Sequence, residues 1–435
     1  MPVTAVYWAE HALLPSGLAS GVRVSIVDGR FAAVEPGDAN GATVLRGLTL
    51  PGLANVHSHA FHRALRGRTQ AGRGSFWTWR ERMYGLAERL DPSSYLDLAR
   101  ATYAEMVLAG ITVVGEFHYL HHGPAGRFYD DPNAMGEALL AAAAGAGLRI
   151  TLLDTLYLSS TVDGDALVGP QLRFGDGSVT TWANRVSALK PGPHGLVGSA
   201  VHSVRAVPAE ALREVTGPYP LHVHLSEQRV ENEACLTRYG RTPTALLDSY
   251  GLLGPRTTAV HATHLTPADL RLLHDTNVCL CPTTERDLAD GIGPARALAD
   301  AGARLCVGSD SQAVIDLLEE ARGVELDERL RTEERGHFSA GELMAAATAN
   351  GHAALGWSDA GVIAPGARAD LVTVRLDTVR TAGHGDPLTT VIYAAGAADV
   401  TEVVVDGRLT VHDGQHVTIP DVPGALRDAI AAVTQ

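Results

Sequence analysis

The apolar residues of this chain follow one pattern at both ends and another in the middle. In residues 22–34, two short apolar runs flank an Asp-Gly dipeptide at 28–29, which is typical of a tight β-hairpin turn. Residues 400–411 repeat this arrangement around a second Asp-Gly at 406–407. We therefore predict that both termini contribute short antiparallel strands to one small β domain, into which the middle of the chain is inserted.

In the middle, apolar runs typical of strands alternate with Ala- and Leu-rich segments of helical period. The strand-like runs are 111–118, 148–157, 221–225, 257–265 and 304–310. The helical segments are 95–109, 134–146, 243–250, 267–274 and 340–349. This alternation predicts a parallel sheet. If the sheet closes into a (β/α)₈ barrel, functional residues are expected where the strands end.

Composition restricts the function classes. The 435 residues carry 35 basic and 49 acidic side chains, a net charge of −14, which argues against a general nucleic-acid or anionic-membrane surface. The four cysteines form no C-x-x-C pair and predict no disulfide framework. No apolar run is long enough for a membrane span, and the N-terminus lacks the pattern of a signal peptide. We expect a cytoplasmic protein with a large core.

Two pairs of histidines lie in or next to apolar runs. His57 and His59 are two residues apart, so in a strand they share one face and can reach one ion together. His222 and His224 have the same spacing, and Glu227 follows three residues later. A ligand at a strand tip with a carboxylate just beyond it suits a metal-bound water and a proton shuttle. Spacing alone leaves open which of the second pair binds.

Two further runs end in residues that bind metals. His261 follows the apolar run TTAV, and Asp310 is an isolated carboxylate after RLCVGS. A single strand-tip His or Asp more often makes a local hydrogen bond or caps a helix. Four such positions, each ending a strand-like run, instead predict one metal centre, because neutral imidazole and carboxylate are good zinc ligands.

The ordered set His-x-His, His, His, Asp resembles the amidohydrolase superfamily. The resemblance implies a (β/α)₈ TIM-type barrel over residues 51–358, with a small β-sandwich domain built from residues 1–50 and 359–435. The metal ligands it implies are His57, His59, His224 and Asp310, and the catalytic groups are Glu227, His261 and Asp310. The match to His-x-x-Glu selects His224 over His222.

The number of metal ions follows from the lysine content. Binuclear members of the superfamily usually bridge two ions with a carboxylated lysine at a strand end. Lys190 is the single lysine of this chain, and it lies in the loop-like LKPGPHG. We therefore expect one divalent ion, zinc, with an open position for water.

Longer motifs indicate one particular family within the superfamily. FWTWRE at 76–81, EFHY at 116–119, HSVRAV at 202–207 and DGI at 290–292 closely resemble the formimidoylglutamate deiminase family of histidine breakdown. That family hydrolyses N-formimidoyl-L-glutamate, a linear amidine, to N-formyl-L-glutamate and ammonia, and a homodimer is its usual form. Two substrate carboxylates call for arginines, whose planar fork suits bidentate pairing. The substrate-binding residues implied are His62, Arg80, Tyr119, His202 and Arg205.

The same resemblance implies a role for each catalytic residue. At two positions, this chain departs from the family pattern. Asp310, helped by His261, takes a proton from the attacking water, and Glu227 protonates the departing nitrogen. His62 stands where some members carry Gln, and Gln312 stands where some carry His. A neutral His both donates and accepts, so we expect substrate recognition to survive. We also hypothesise that the long loop containing FWTWRERM closes over the site.

Two alternatives remain. Another deaminase on this scaffold, acting on a related amidine, guanidine or nucleobase, would leave the paired arginines without a dicarboxylate partner. A catalytically inactive scaffold of the same shape would be expected to lack metal ligands, whereas every implied ligand is present here.

Overall fold

The structure is a computed structural model that describes residues 4–215 and 217–434. The strands in this part of the chain are β1 (Thr4–Leu14), β2 (Gly17–Val27), β3 (Arg30–Pro36), β4 (Thr43–Pro51), β5 (Leu53–Ser58), β6 (Ile111–His118), β7 (Arg149–Leu156), β8 (Gly195–Val201), β9 (Leu221–Leu225), β10 (Thr257–His261), β11 (Asn277–Leu280), β12 (Arg304–Val307), β13 (Leu371–Val374), β14 (Val400–Val405), β15 (Arg408–His412) and β16 (Gln415–His416).

The helices of the same residues are α1 (Phe76–Ala87), α2 (Pro92–Leu108), α3 (Ala134–Ala146), α4 (Val179–Ala188), α5 (Ala209–Leu212), α6 (Arg229–Tyr239), α7 (Pro243–Ser249), α8 (Pro267–Leu272), α9 (Pro282–Leu288), α10 (Ala295–Asp300), α11 (Leu317–Thr332), α12 (Ala340–Ala347), α13 (Ala349–Ala354), α14 (Pro387–Ala394) and α15 (Val422–Thr434). Across the described ranges, none of them combines the length and apolar character that a membrane crossing requires.

Strands β5 to β12 form the predicted parallel barrel, in chain order. It closes between its first and last strands, where Asp310 N donates to His57 O at 2.9 Å and His59 N donates to Asp310 O at 3.1 Å. The sequence did not predict β8 or β11. Strand β8 is interrupted by glycine and β11 has only 4 residues, so neither shows a clear apolar run.

The two termini share one eight-stranded sheet in the order β16-β15-β14-β13-β4-β1-β2-β3, which confirms the predicted terminal domain. Both Asp-Gly turns have positive φ at both residues, as a type I′ hairpin requires. The sheet curls until these turns meet, since a Cβ on Gly29 would lie 3.0 Å from Asp406 O. The strands around both turns pair antiparallel as predicted, and the sheet adds one parallel pair, β1 with β4, because residues 37–42 carry the chain back beside β1.

We retain as a proposal the domain boundaries after residues 50 and 358.

Between the two sheets lies a buried ionic junction. Arg149, at the start of β7, is fully buried and donates to Asp370 and Asp406, in the latter case at 2.9 Å. Asp370 also accepts the backbone N–H of Asp406 at 2.9 Å. These contacts attach the barrel to the terminal sheet at the end opposite the carboxyl ends of the barrel strands.

Arg149→Ala is expected to lower the free energy of unfolding by about 3–5 kcal/mol, because it leaves the buried Asp370 carboxylate without its cation and removes one partner of Asp406, which also pairs with Arg368 and His194. Urea unfolding followed by circular dichroism measures the change. The control is Arg375→Ala, which removes an exposed ion pair with Asp377 and should change nothing measurable. Equal stability of the two variants would contradict the role of the junction.

Candidate active site

The implied metal ligands converge at the carboxyl ends of the barrel strands. The His57 Nε2 atom lies 3.1 Å from His224 Nε2 and 3.4 Å from Asp310 Oδ1. The His59 Nε2 atom lies 3.5 Å from the same carboxylate oxygen. All four side chains are buried. The structure therefore brings together three imidazoles and one carboxylate from β5, β9 and the residues that follow β5 and β12.

Hydrogen bonds on the outer side of this cluster orient its rings. His59 Nδ1 contacts Phe117 O at 3.0 Å, and His224 Nδ1 contacts His202 O at 2.9 Å. Because these nitrogens must donate to carbonyls, the Nε2 atoms carry the lone pairs that face each other. Burial lowers the pKa of His57, His59 and His224, which keeps the rings neutral. Such a donor set fits a divalent ion of the zinc type.

The structure distinguishes His224 from His222, which sequence spacing alone left as equal candidates for a metal ligand. His222 lies two residues earlier in β9, and its Nε2 contacts Ala354 O at 3.4 Å instead of the cluster. Lys190 is exposed in the loop before β8, at the opposite end of the barrel. It therefore contributes no bridging group to the cluster.

His261 lies beside the cluster, between carboxylates. Its Nε2 is 3.7 Å from Asp310 Oδ2 and 3.8 Å from Glu227 Oε1. Its Nδ1 is 3.4 Å from Oε1 of Glu285 in α9. Burial opposes protonation of His261, but the charge of Glu227 and the hydrogen bond to Glu285 outweigh it and raise the pKa of His261 to about 10. Sequence reasoning missed Glu285, whose one signal is its position just after the end of β11.

Strained backbone surrounds the same point. Five non-glycine residues at the strand ends have φ between +43° and +69°, a region that L-residues rarely adopt. They are Ser226, His261, Ala262, Asp310 and Gln312. Strain of this kind persists only where surrounding contacts maintain it, and it concentrates at functional sites.

A pocket opens over the cluster and contains every implied substrate-binding residue. The implied residues that line it are His62, Arg80, Tyr119, His202, Arg205, Glu227, His261 and Asp310. Sequence reasoning missed Tyr84, Tyr157 and Phe174, which complete an aromatic wall.

Two arginines meet at one wall, and neither lies within ion-pair distance of a carboxylate in the described part of the chain, although the charge of the nearby buried Glu231 raises the pKa of Arg205. The Arg80 guanidinium lies 4.5 Å from the centre of the Trp77 ring, and that of Arg205 lies 5.9 Å from the same ring. The Nε of each is buried and has no hydrogen-bond partner. Within the described residues, no carboxylate approaches either guanidinium to 4 Å. This wall therefore presents paired positive charge to a ligand.

The segment predicted as a loop is helix α1, which covers the pocket. Ser75 and Thr78 form a capping box at its start, and Phe76, Trp79 and Met83 recur at helical spacing on the face that lines the pocket. The helix thus follows from capping and periodicity that the aromatic motif obscured. Arg82 is exposed, as expected. Closure of α1 over the site stays a hypothesis.

The two departures from the family pattern have different positions. His62 lines the pocket and its Nε2 contacts the Tyr119 hydroxyl at 3.0 Å. Burial lowers the pKa of His62 to about 3, so its ring is neutral. Gln312 is buried outside the pocket and donates to Ser58 Oγ at 2.9 Å and Asp310 O at 3.0 Å. Of the two, His62 faces a ligand and Gln312 connects the strands that carry ligands.

Family comparisons agree with this geometry. The amidohydrolase family matches residues 48–410, and the N-terminal domain of the formimidoylglutamate deiminase HutF matches residues 4–44. The chain belongs to the amidohydrolase family.

Individual relatives span nearly the whole chain. Formimidoylglutamate deiminase of Pseudomonas aeruginosa is 38% identical over 94% of this chain and 95% of its own length. The 8-oxoguanine deaminase of the same species is 31% identical over 85% of this chain and 83% of its own. The crystal structure of an amidohydrolase from Brucella melitensis superposes with a TM-score of 0.92 at 31% identity, covering 99% of this chain and 100% of that one.

More distant structures share the fold. An adenosine deaminase from Xanthomonas campestris, solved with bound zinc, superposes with a TM-score of 0.82 at 24% identity and covers 98% of both chains. At this sequence identity, the comparison shows that the two proteins share a fold and nothing more specific.

His57→Ala is expected to weaken binding of a divalent ion by more than ~100-fold, because loss of even an outer-shell partner commonly costs 10- to 100-fold. Competition with a chelator measures the affinity, and elemental analysis the stoichiometry. His412→Ala is the control, since His412 is an exposed histidine at the end of β15 in the terminal sheet. Full zinc occupancy of the His57 variant would refute the assignment.

Proposed function

We propose that this chain hydrolyses N-formimidoyl-L-glutamate to N-formyl-L-glutamate and ammonia, as one step of histidine breakdown. The observation that carries the proposal is the pair of unpartnered arginines in the same pocket as the imidazole–carboxylate cluster. The similarity to formimidoylglutamate deiminase of Pseudomonas aeruginosa supports it. As part of the same proposal, the protein is a cytoplasmic homodimer.

The cofactor in this proposal is one zinc ion. His57, His59, His224 and Asp310 would hold it, because their free donor atoms face one another and are buried. Such an ion lowers the pKa of a coordinated water toward ~7 and so supplies a nucleophile at neutral pH.

Arg80 and Arg205 bind the two substrate carboxylates. The Nε of each guanidinium is buried and the group lies against an aromatic ring, so little side-chain freedom is lost when a carboxylate pairs with it. Tyr119 and His202, whose rings are 5.7 Å apart, line the same pocket and add hydrogen bonds to the substrate. His62 extends this set, because its ring reaches the pocket through Tyr119.

Glu227, His261 and Asp310 handle the protons. Burial raises the pKa of the Glu227 carboxyl, which is the direction that a proton donor to the departing nitrogen requires. Asp310 accepts a proton from the attacking water, and the nitrogen leaves as ammonia. The His261 imidazolium, 3.7 Å from Asp310 and 3.8 Å from Glu227, stabilises the negative charge that develops between them.

Glu227→Gln is expected to lower turnover by ~10²- to 10⁴-fold, because the amide has no proton to deliver. Ammonia release measures turnover, and elemental analysis should find zinc content unchanged. Glu233→Gln, an exposed position in the following helix, is the matched control. Near wild-type turnover in the Glu227 variant would remove that residue from proton transfer.

Arg205→Ala is expected to raise KM for N-formimidoyl-L-glutamate by ~10- to 100-fold, the value of one charge-assisted hydrogen-bonded pair. The measurement is ammonia release from N-formimidoyl-L-glutamate, with N-formimidoyl-L-aspartate and guanine in parallel. Wild-type protein should act fastest on the glutamate compound, because the arginines select for the separation of its carboxylates.

Arg82→Ala serves as the control for charge, since Arg82 is in the same helix as Arg80 but exposed. An unchanged KM in the Arg205 variant would exclude that residue from substrate binding. Release from guanine alone would instead support a nucleobase deaminase, the class to which the 31% identical relative belongs by name.

A further inference from the structure

Three ligand-type side chains form a further group next to the cluster. One of them, Cys281, has no role in the proposed function. One donor atom each of His261, Cys281 and Asp310 lies within 4.8 Å of the others, and all three residues are buried. Cys281 directly follows β11, so three successive strand ends, those of β10, β11 and β12, supply the group. The thiol has no part in binding substrate or moving protons.

The two oxygens of Asp310 face different neighbours. Oδ1 lies 3.4 Å from His57 Nε2 and 3.5 Å from His59 Nε2, whereas Oδ2 lies 3.7 Å from His261 Nε2. The carboxylate can therefore contact an ion in the first cluster through one oxygen and keep the other free. Two donor atoms 3.7 Å apart are close to the spacing that a tetrahedral ion with ligands at ~2.0–2.2 Å requires.

Glu285 holds the other two members in place. Its Oε1 lies 3.4 Å from His261 Nδ1 and accepts the backbone N–H of Cys281 at 3.0 Å. Because Nδ1 is occupied by this carboxylate, the Nε2 atom of His261 is the one that faces Asp310. A histidine supported by a carboxylate on its other nitrogen is the usual arrangement of a metal ligand.

We propose that His261, Cys281 and Asp310 form a second site for a thiophilic divalent cation, such as zinc or cadmium, and that filling it inhibits the enzyme. The site offers three protein ligands against four in the first cluster, so it fills second. Thiolate is the ligand form of cysteine and neutral imidazole that of histidine, so the Cys281 thiol proton and the Nε2 proton of the His261 imidazolium are both released to solvent on binding. Inhibition follows because the ion engages His261 and Asp310, and this part of the inference rests on the proposed function.

Cobalt titration of metal-free protein tests the site without reference to turnover. With the second equivalent of Co²⁺, wild-type protein should develop a near-ultraviolet thiolate-to-cobalt charge-transfer band. Cys281→Ser should lose the band and bind the second equivalent ~10-fold or more weakly, while keeping the first. Cys235→Ser is the control, since Cys235 is an equally buried thiol in α6, whereas Cys279 Sγ lies 4.0 Å from Cys281 Sγ.

Zinc titration then tests inhibition. Zinc beyond one equivalent should inhibit ammonia release by the wild type and Cys235→Ser, but not by Cys281→Ser. Absence of the band in wild-type protein, or an identical band in Cys281→Ser, would overturn the site. If the protein released no ammonia from N-formimidoyl-L-glutamate, the proposed function would fail, yet the cobalt spectrum would still decide the site.

Discussion

The closure of the barrel between its first and last strands is the constraint on which the rest of the site depends. Two backbone hydrogen bonds join Asp310 to His57 and His59, so the bonds that close the sheet also set the spacing of three ligand-type side chains. Gly308 makes this closure possible, because a Cβ there would lie 2.7 Å from His57 N. The side chain of Gln312 adds a link from Ser58 to Asp310 O. Fold and site are thus stabilised by the same contacts.

Charge is divided across the pocket in a way that matches a zwitterionic amidine. One wall carries Arg80 and Arg205 with no described carboxylate at ion-pair distance, and the floor carries Glu227 and Asp310 around His261. A ligand with carboxylates at one end and an amidinium at the other fits that division. Each unpaired buried group costs stability in the free protein, and a matching ligand recovers that cost on binding.

Periodicity and strand-end position predicted much of this molecule. The helix α3 spans the residues that its Ala-rich pattern indicated, and β6 and β9 coincide with their apolar runs. The pattern failed for β8 and β11, which are short or contain glycine, and for α1, whose aromatic motif was taken for a loop. In β8 and β11, packing against neighbouring strands outweighs local preference, whereas α1 has a capping box and helical spacing that its aromatic motif obscured.

The sequence by itself determined the class of fold and the residue types of the site, because strand ends in a parallel barrel converge wherever the chain places them. Only the tertiary structure decided which donors meet. It turned His222 away toward Ala354, placed Glu285 behind His261, and brought the thiol of Cys281 beside Asp310. The physical reason is that these contacts join different strands, and their distances depend on barrel closure and on backbone strain that no local pattern encodes.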